Sequence, residues 1–322
     1  RRSSARMPRI VTLTLNPALD LASTAETVRP THKIRTTGEH MDPGGGGINV
    51  ARVAHALGGD VCALLLAGGP TGAMIGELLN EQGVPHLIVP ISGRTRISLT
   101  VIERTSGLEY RFVPEGPAVT EAEWQAALAA LETLDADWVV ASGSLPRGVP
   151  VDFYARAARL AAARGRRFVL DTSGPALKAA LGAGIDLLKP SLGEMEALLG
   201  RKLIGRAAQE AAARALVRDG AARMLALTLG WEGAMLATAE GVLHLRPPAT
   251  AAEAHSAVGA GDSFVAAMTL ALARGDSPAD ALAWGIAAGS AAIAAIGTAR
   301  ISRAAVEAQF RALTAAPAAP VP

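Results

Sequence analysis

The sequence has few of the residue types that define several protein classes. Only one of the 322 residues is cysteine and 3% are aromatic, whereas half belong to the hydrophobic set. One cysteine cannot form a disulfide within the chain, so we expect a reducing, cytoplasmic location. The core must consist mainly of Ala, Val, Leu and Ile, and the chain is long enough for one large α/β domain.

Several motifs are also absent, and each absence excludes a class of protein. No apolar run reaches the ~20 residues of a membrane span, and the six histidines show no metal-ligand spacing. There is no G-x-x-x-x-G-K-[ST] motif and no strand followed by G-x-G-x-x-G, which excludes a P-loop enzyme and argues against a dehydrogenase. The 31 basic residues are scattered and the net charge is +2, so we expect neither a nucleic-acid nor a membrane partner.

What is present is a regular alternation of strands and helices. This alternation predicts an α/β fold with a doubly wound, mostly parallel sheet flanked by helices. Two segments without it, about 17–43 and 93–115, are predicted to form a small lid of β-strands. We expect the folded domain to span residues 8–312, with residues 1–7 as an N-terminal extension and residues 313–322 as a disordered tail.

Four consecutive glycines, Gly44–Gly47, stand directly before an amphipathic segment that predicts a helix. A flexible linker is one interpretation. The other is that a ligand approaches the backbone so closely that no Cβ fits, since glycine alone permits such an approach.

A second glycine-containing stretch, "GAGDSF", begins another predicted helix. Gly259 and Gly261 leave the N–H groups of Ala260, Gly261 and Asp262 exposed at the helix N-terminus, where unpaired donors and the helix dipole bind anions. The dipole also favours the ionised form of Asp262, as a general base requires. An anion site beside a base is what phosphoryl transfer to a hydroxyl needs. The alternative is an ordinary glycine-rich turn with an aspartate in the first helical turn.

The two glycine motifs, "GGGGINVARVAHALGG" and "AVGAGDSF", resemble in order and separation the signatures of the ribokinase/PfkB family of sugar kinases. The resemblance extends over about residues 8–312, and "TLTLNPALD", "YRFV" and "SGSLPRGV" resemble the phosphofructokinase branch of that family. It implies a ribokinase-like fold and ATP-dependent phosphorylation of fructose 6-phosphate at the 1-hydroxyl. Fructose 1-phosphate and tagatose 6-phosphate stay open as substrates, and a non-catalytic regulator that binds sugar phosphates is the alternative from another class.

The resemblance implies a role for individual residues on the sugar side. The glycine run would let the sugar lie against the backbone, Asp20 would accept hydrogen bonds from sugar hydroxyls, and Arg96 would bind the phosphate that the substrate already carries. Lys33 is a second phosphate candidate, for the site of a neighbouring subunit in a homodimer formed through the lid. The implied catalytic residues are Asp262 with Gly259, Ala260 and Gly261; the implied sugar-binding residues are Asp20, Lys33, Gly44, Gly45, Asn49, Arg96, Ser144 and Asp262.

The resemblance also implies an ATP site with Mg²⁺. Glu194 would hold Mg²⁺ through water. At Ser191 the family carries Asn; serine offers a hydroxyl but no amide for contacts with phosphate or metal-bound water. The implied nucleotide-binding residues are Lys189, Ser191, Thr228, Gly230, Gly233 and Gly261. Potassium would be held by the carbonyls of Ser256, Val258 and Gly297, but the family's Asn and Arg near Gly297 are Ala295 and Ala299 here, which leaves potassium dependence open.

Overall fold

The computed structural model describes residues 7–247, 259–294 and 301–315, and its centre is a nine-stranded sheet. The strand order is β13-β12-β11-β10-β9-β8-β1-β4-β5. All neighbours run parallel except the last two at one edge, β11–β12 and β12–β13, which are antiparallel. The strands are β1 (Arg9–Thr14), β4 (Asp60–Ala67), β5 (His86–Pro90), β8 (Trp138–Ser142), β9 (Arg167–Asp171), β10 (Leu187–Leu188), β11 (Met224–Thr228), β12 (Ala234–Ala237) and β13 (Val242–Leu245).

Helices cover both faces of this sheet, which confirms the predicted doubly wound α/β architecture. Strands such as "RIVTLT" and "DVCALLLA" are apolar along their length because both faces are buried. Two apolar clusters result: one packs α1, α8 and α9 against the sheet, and the other packs α3, α4, α5 and α7. The helices are α1 (Gly46–Ala56), α2 (Gly69–Glu81), α3 (Glu121–Thr133), α4 (Phe153–Ala163), α5 (Gly174–Ala180), α6 (Leu192–Leu199), α7 (Arg206–Arg218), α8 (Ala260–Arg274), α9 (Pro278–Ala294) and α10 (Arg303–Ala315).

Four further strands form a second, smaller sheet. Its order is β3-β2-β6-β7, and only the β2–β6 pair is parallel. These strands lie in or beside the two segments expected to form a lid: β2 (Ala18–Ala25), β3 (Thr36–Gly44), β6 (Arg96–Glu103) and β7 (Glu109–Phe112). We refer to them as the small sheet.

The periodicity of the sequence did not predict strand β5 or helices α6 and α10. Helix α6 begins with a capping box in which Ser191 and Glu194 bond to each other's backbone N–H groups, so the S-x-x-E pattern was its signal. Helix α10 packs through Phe310, whose ring stacks on Trp284 at 4.1 Å between centroids. It continues to Ala315, three residues beyond the boundary expected at residue 312.

The order of strands determines where a ligand can bind. Strand β1 lies between β4 and β8, so successive connections leave it in opposite directions and a crevice opens beyond its carboxyl end. The loop after β1 leads directly into β2 of the small sheet, which therefore stands beside this crevice. Among the described residues, no helix has the length and apolar character needed to cross a membrane.

Candidate active site

Asp262 and Asn49 meet at this crevice, although 213 positions separate them in the sequence. Asp262 lies in the first turn of α8 and Asn49 in the first turns of α1. The Nδ2 of Asn49 donates to Oδ2 of Asp262 at 2.9 Å. The Oδ1 of Asn49 is buried and has no hydrogen-bond partner among the described residues. A buried acceptor without a donor is costly, so this atom is prepared to receive one.

Asp262 is partly buried, and this burial changes the chemistry of its carboxyl group. Burial and the nearby Asp171 raise the pKa of Asp262 to about 7, while the hydrogen bond from Asn49 and the charge of Lys189 act in the opposite direction. Desolvation thus opposes the ionised form of Asp262, which the positive end of the helix dipole favours. A carboxyl group with a pKa near 7 is well matched to accept a proton from a hydroxyl at neutral pH.

The helix end beside Asp262 has the form of an anion site. Gly259 precedes α8 with φ +78°, a left-handed conformation that favours glycine. The N–H groups of Ala260, Gly261 and Asp262 belong to the first turn, whose donors have no partner inside the helix. A Cβ at Gly261 would lie 3.7 Å from Nζ of Lys189, so an ammonium group adjoins these donors. The site therefore combines backbone donors, a cation and a carboxyl group.

Lys189 is buried and paired with Asp171, at 3.1 Å between Nζ and Oδ1. Burial opposes the charged form of Lys189, but Asp171, Glu194 and Asp262 together raise its pKa. The ammonium group is thus charged and held below the anion site. Asp171, which ends β9, was not among the residues assigned to the site from sequence; its position after a buried strand was the available signal.

The glycine run is also packed closely against other parts of the protein. A Cβ at Gly44 would overlap Oδ2 of Asp20, and one at Gly46 would overlap Oγ of Ser142. At Gly45, φ is +119° and a Cβ would lie 2.8 Å from Thr14 Cγ2; at Gly47 it would lie 2.7 Å from the carbonyl oxygen of Leu13. The protein itself therefore opposes a side chain at Gly45, Gly46 and Gly47, whereas at Gly44 the carboxylate of Asp20 would have to move.

Asp20 lies against this run and faces a second carboxylate. Burial and Asp42, its neighbour across the β2–β3 pair, raise the pKa of Asp20 to about 6 against the opposing charges of Arg111, Arg52 and Arg96. Asp42 is itself buried and bonded to Arg52 of α1 at 2.8 Å. Arg52 also donates to Gln82 and to the carbonyl of Pro43. Neither Asp42 nor Arg52 was identified from sequence, because their pairing is purely tertiary.

Arg96 and Ser144 meet at Asn16, which follows β1. The guanidinium group of Arg96 donates to the carbonyl oxygens of Asn16, Pro17 and Pro114. Asn16 Nδ2 donates to Oγ of Ser144 at 3.2 Å and to the carbonyl of Glu115. Three of the five N–H donors of Arg96 are thus used within the protein. Lys33 is not brought to these residues; it lies exposed in the loop between β2 and β3.

The predicted nucleotide residues lie along the adjoining strand ends. Ser191 forms an isolated bridge with Thr228 and caps α6, so serine here does the structural work that asparagine could also do. Glu194 uses Oε2 in the same capping box. Gly230 adopts φ +63° in the turn after β11, and Gly233 adopts φ +91°, where a Cβ would overlap the carbonyl oxygen of Leu245.

The described part of the chain holds no group of three or more His, Cys, Asp or Glu side chains arranged to bind a metal. Carboxylates of Asp171 and Glu194 lie near enough to influence each other. Two carboxylates suit Mg²⁺ that is held mainly by nucleotide phosphates and water. Ser256, Val258 and Gly297, expected to bind potassium, lie outside the described residues.

Comparison with known proteins gives a consistent result. The model of the pfkB family of carbohydrate kinases matches residues 13–304. ATP-dependent 6-phosphofructokinase isozyme 2 of Mycobacterium tuberculosis is 44% identical over 306 residues, 94% of this chain and 89% of that protein. The Escherichia coli isozyme 2 is 41% identical, over 91% and 94% of the two chains. A 1-phosphofructokinase of Rhodobacter capsulatus is 36% identical, over 83% and 84%.

Solved structures of similar proteins point to the same family. Phosphofructokinase-2 of Escherichia coli in complex with potassium superposes with a TM-score of 0.91 and 39% identity, covering 96% of this chain and 100% of the other. The same enzyme in complex with fructose-6-phosphate, and in its tetrameric inhibited form, superposes with TM-scores of 0.90 at 38% identity and the same coverage. The chain belongs to the pfkB family of carbohydrate kinases, which phosphorylate a hydroxyl group, as its two glycine motifs indicated.

Proposed function

We propose that this chain transfers the γ-phosphate of ATP to the 1-hydroxyl of fructose 6-phosphate, giving fructose 1,6-bisphosphate and ADP. The observation that carries the proposal is the partly buried Asp262 carboxyl group, bonded to Asn49 and placed in the first turn of α8. A base and an anion site share one helix end, which is what in-line phosphoryl transfer to a hydroxyl requires. The names of relatives more than 40% identical to the chain support the choice of sugar phosphate.

In the proposed reaction, Asp262 accepts the hydroxyl proton as the oxygen attacks the γ-phosphorus. The hydrogen bond from Asn49 holds Oδ2, so Oδ1 faces the sugar. The N–H groups of Ala260 and Gly261, with Lys189, take the negative charge that spreads over the transferred group. A non-catalytic regulator has no need for a carboxyl group poised near pH 7 beside an anion site, which disfavours that alternative.

The remaining residues bind the two substrates. Asp20 accepts hydrogen bonds from sugar hydroxyls, and the unpaired Oδ1 of Asn49 receives another. Ser144 and Arg96 bind the sugar phosphate end, with Gly44 and Gly45 forming the floor. The loops carrying Ser191, Thr228, Gly230 and Gly233 bind ATP. Mg²⁺, when bound, neutralises phosphate charge; Glu194, through water, and Asp171 are the side chains that would hold it.

We also propose that the small sheet is a lid over the site and that two copies of the chain form a homodimer through it. The proposed location is the cytoplasm. The outer face of that sheet is apolar: Met41, Leu21, Leu99 and Phe112 stand in register across its four strands. Met41 is 41% and Phe112 58% exposed, which is costly unless a partner covers them. Lys33 in the adjoining loop would then reach the partner's site. Potassium remains an expectation from the family alone.

The decisive experiment measures ADP release with ATP and Mg²⁺ across hexose phosphates. Fructose 6-phosphate should give the highest kcat/KM. Preference for fructose 1-phosphate or tagatose 6-phosphate would replace the proposed substrate and keep the reaction class. Binding of a sugar phosphate without ADP release from any of them would favour the regulator.

A further inference from the structure

Asn16 lies two residues beyond β1, at the crevice, and both N–H groups of its side-chain amide are used within the protein. Its Nδ2 donates to the carbonyl oxygen of Glu115 at 3.0 Å and to Oγ of Ser144 at 3.2 Å. The residue is 6% exposed, and its Oδ1 is buried and accepts no hydrogen bond from the described residues. A buried amide with this unequal use of its two ends has a defined direction.

The surroundings of the Asn16 amide fix that direction. A carbonyl oxygen can only accept, so the amide atom that lies 3.0 Å from the Glu115 carbonyl is the nitrogen. On the other side, Oδ1 lies against Gly116, which has φ +93° and where a Cβ would overlap Oδ1. Turning the amide over would bring Oδ1 against the Glu115 carbonyl oxygen, and two acceptors repel each other. The second N–H of Nδ2 is therefore directed at Ser144.

This hydrogen bond determines how the Ser144 hydroxyl faces the crevice. A serine hydroxyl has one hydrogen and two lone pairs, and its hydrogen rotates to suit the partners around it. Since Oγ accepts from Asn16, the hydroxyl hydrogen points elsewhere, and it has no acceptor within the described part of the chain. Ser144 is exposed in the loop after β8, whereas Asn16 is buried beneath it. The hydroxyl therefore presents its hydrogen outward.

The backbone of Asn16 also holds the neighbouring cation. Its carbonyl oxygen accepts from Nη2 of Arg96 at 2.9 Å. One residue thus joins the two side chains assigned above to the phosphate end of the sugar, the guanidinium group through its backbone and the hydroxyl through its amide.

We propose that Asn16 is a positioning residue, which makes the Ser144 hydroxyl a hydrogen-bond donor toward the phosphate of the sugar substrate. This inference rests on the proposed function. An ionised phosphate oxygen only accepts, so it is bound by a hydroxyl that presents its hydrogen and repelled by one that presents a lone pair. A sugar hydroxyl can donate as well as accept, so it gains less from this arrangement. Asn16 therefore contributes to the preference for phosphorylated sugars without contacting them.

A double-mutant cycle between Asn16→Ala and Ser144→Ala tests the proposal. In the wild-type background, Asn16→Ala should lower kcat/KM for fructose 6-phosphate roughly 3- to 10-fold, which corresponds to one hydrogen bond. In the Ser144→Ala background it should change kcat/KM less than about twofold, because no hydroxyl remains to be oriented. Asn80→Ala, at an exposed asparagine of α2, is the matched control and should have no effect in either background.

The isosteric variant Asn16→Asp reverses the polarity of the contact. An ionised carboxylate only accepts, so the Ser144 hydroxyl would donate to it and present a lone pair to the substrate. We expect kcat/KM for fructose 6-phosphate to fall further than in Asn16→Ala, to roughly 100-fold below the wild type, since a negative charge is also added. The loss with unphosphorylated fructose should be smaller, and the KM for ATP should stay within about twofold of the wild type. Thermal melting verifies that each variant is folded.

Equal losses from Asn16→Ala with and without the Ser144 hydroxyl would overturn the proposal, because Asn16 would then act only by holding the loop at Glu115. An unchanged kcat/KM in Ser144→Ala would also overturn it, as would an Asn16→Asp variant that is folded and more active than Asn16→Ala. Wild-type turnover across hexose phosphates tests the proposed function separately, and the cycle is measured with whichever sugar phosphate is preferred.

Discussion

The two sides of the candidate site are built differently, and their glycines show how. On the sugar side, all four glycines of the run Gly44–Gly47 are packed against other protein atoms. On the nucleotide side, a Cβ at Gly193 or Gly230 would meet no atom within 4 Å, although one at Gly233 would overlap the carbonyl oxygen of Leu245. The sugar side is therefore assembled by tertiary packing before ligand arrives, whereas much of the nucleotide side consists of surface turns shaped by local backbone geometry. The preorganised side is the one on which the base must be aligned with the sugar hydroxyl.

The largest effect should come from Asp262→Asn, which removes the base where the two sides meet. We expect kcat to fall about 10²–10⁴-fold, because the amide keeps the size but cannot accept a proton. Calorimetry should show ATP and sugar-phosphate binding within a few-fold of the wild type. Asp280→Asn, at an exposed aspartate in the first turn of α9, is the control and should leave turnover unchanged. Near-normal turnover in Asp262→Asn would place the base elsewhere.

The pH dependence of kcat/KM tests whether Asp262 is the base. The pKa of Asp262 is raised to about 7 in the protein. The active form is deprotonated, so kcat/KM should fall about tenfold per pH unit below 7 and level off above it. The sugar phosphate also titrates near pH 6. Calorimetric binding of fructose 6-phosphate to Asp262→Asn across the same pH range isolates that contribution, and a rate profile that merely follows it would contradict the assignment.

Matched alanine substitutions test the difference between the packed glycines of the sugar side and the open glycines of the nucleotide side. Gly46 begins α1 and Gly193 lies in the first turn of α6. Gly46→Ala should lower the free energy of unfolding by about 1–3 kcal/mol and reduce kcat/KM for the sugar phosphate, because Cβ of Ser142 is only 3.0 Å from the new methyl group. Gly193→Ala should raise stability by about 0.5–1 kcal/mol with unchanged kinetics. Denaturant unfolding measures both, and equal stability changes would contradict the packing argument.

The smallest effect concerns Ser191 on the nucleotide side. Its hydroxyl caps α6, so Ser191→Ala should cost about 1 kcal/mol in stability. Ser191→Asn should restore that stability, because asparagine is an equally good N-cap. Thermal melting compares the three proteins, and the KM for ATP shows whether the amide adds a contact to phosphate or metal-bound water. A Ser191→Ala variant as stable as the wild type would exclude the capping role.

Much of the fold could be predicted because it depends on patterns among residues close together in the sequence. Alternating apolar runs and helical periods indicated the parallel sheet, and the two glycine motifs indicated a kinase of the pfkB family, which the family match confirms. Strand β10 was expected over 185–188 and is reduced to Leu187–Leu188, and the eight-residue helix α6 was missed, because so short an element carries little periodicity. The roles of individual site residues stay predictions, including that of Lys33, which lies exposed in the loop between β2 and β3.

The sequence by itself determined the architecture and the place of Asp262 at a glycine-bounded helix end, since both depend on neighbours along the chain. The tertiary structure alone decided the pKa of Asp262, through burial and the charge of Asp171. It also decided why Gly45–Gly47 must be glycine, and that Asp42 is buried against Arg52 behind Asp20. These properties arise between residues distant in sequence. Desolvation and steric overlap depend on what surrounds an atom in space, which no local pattern records.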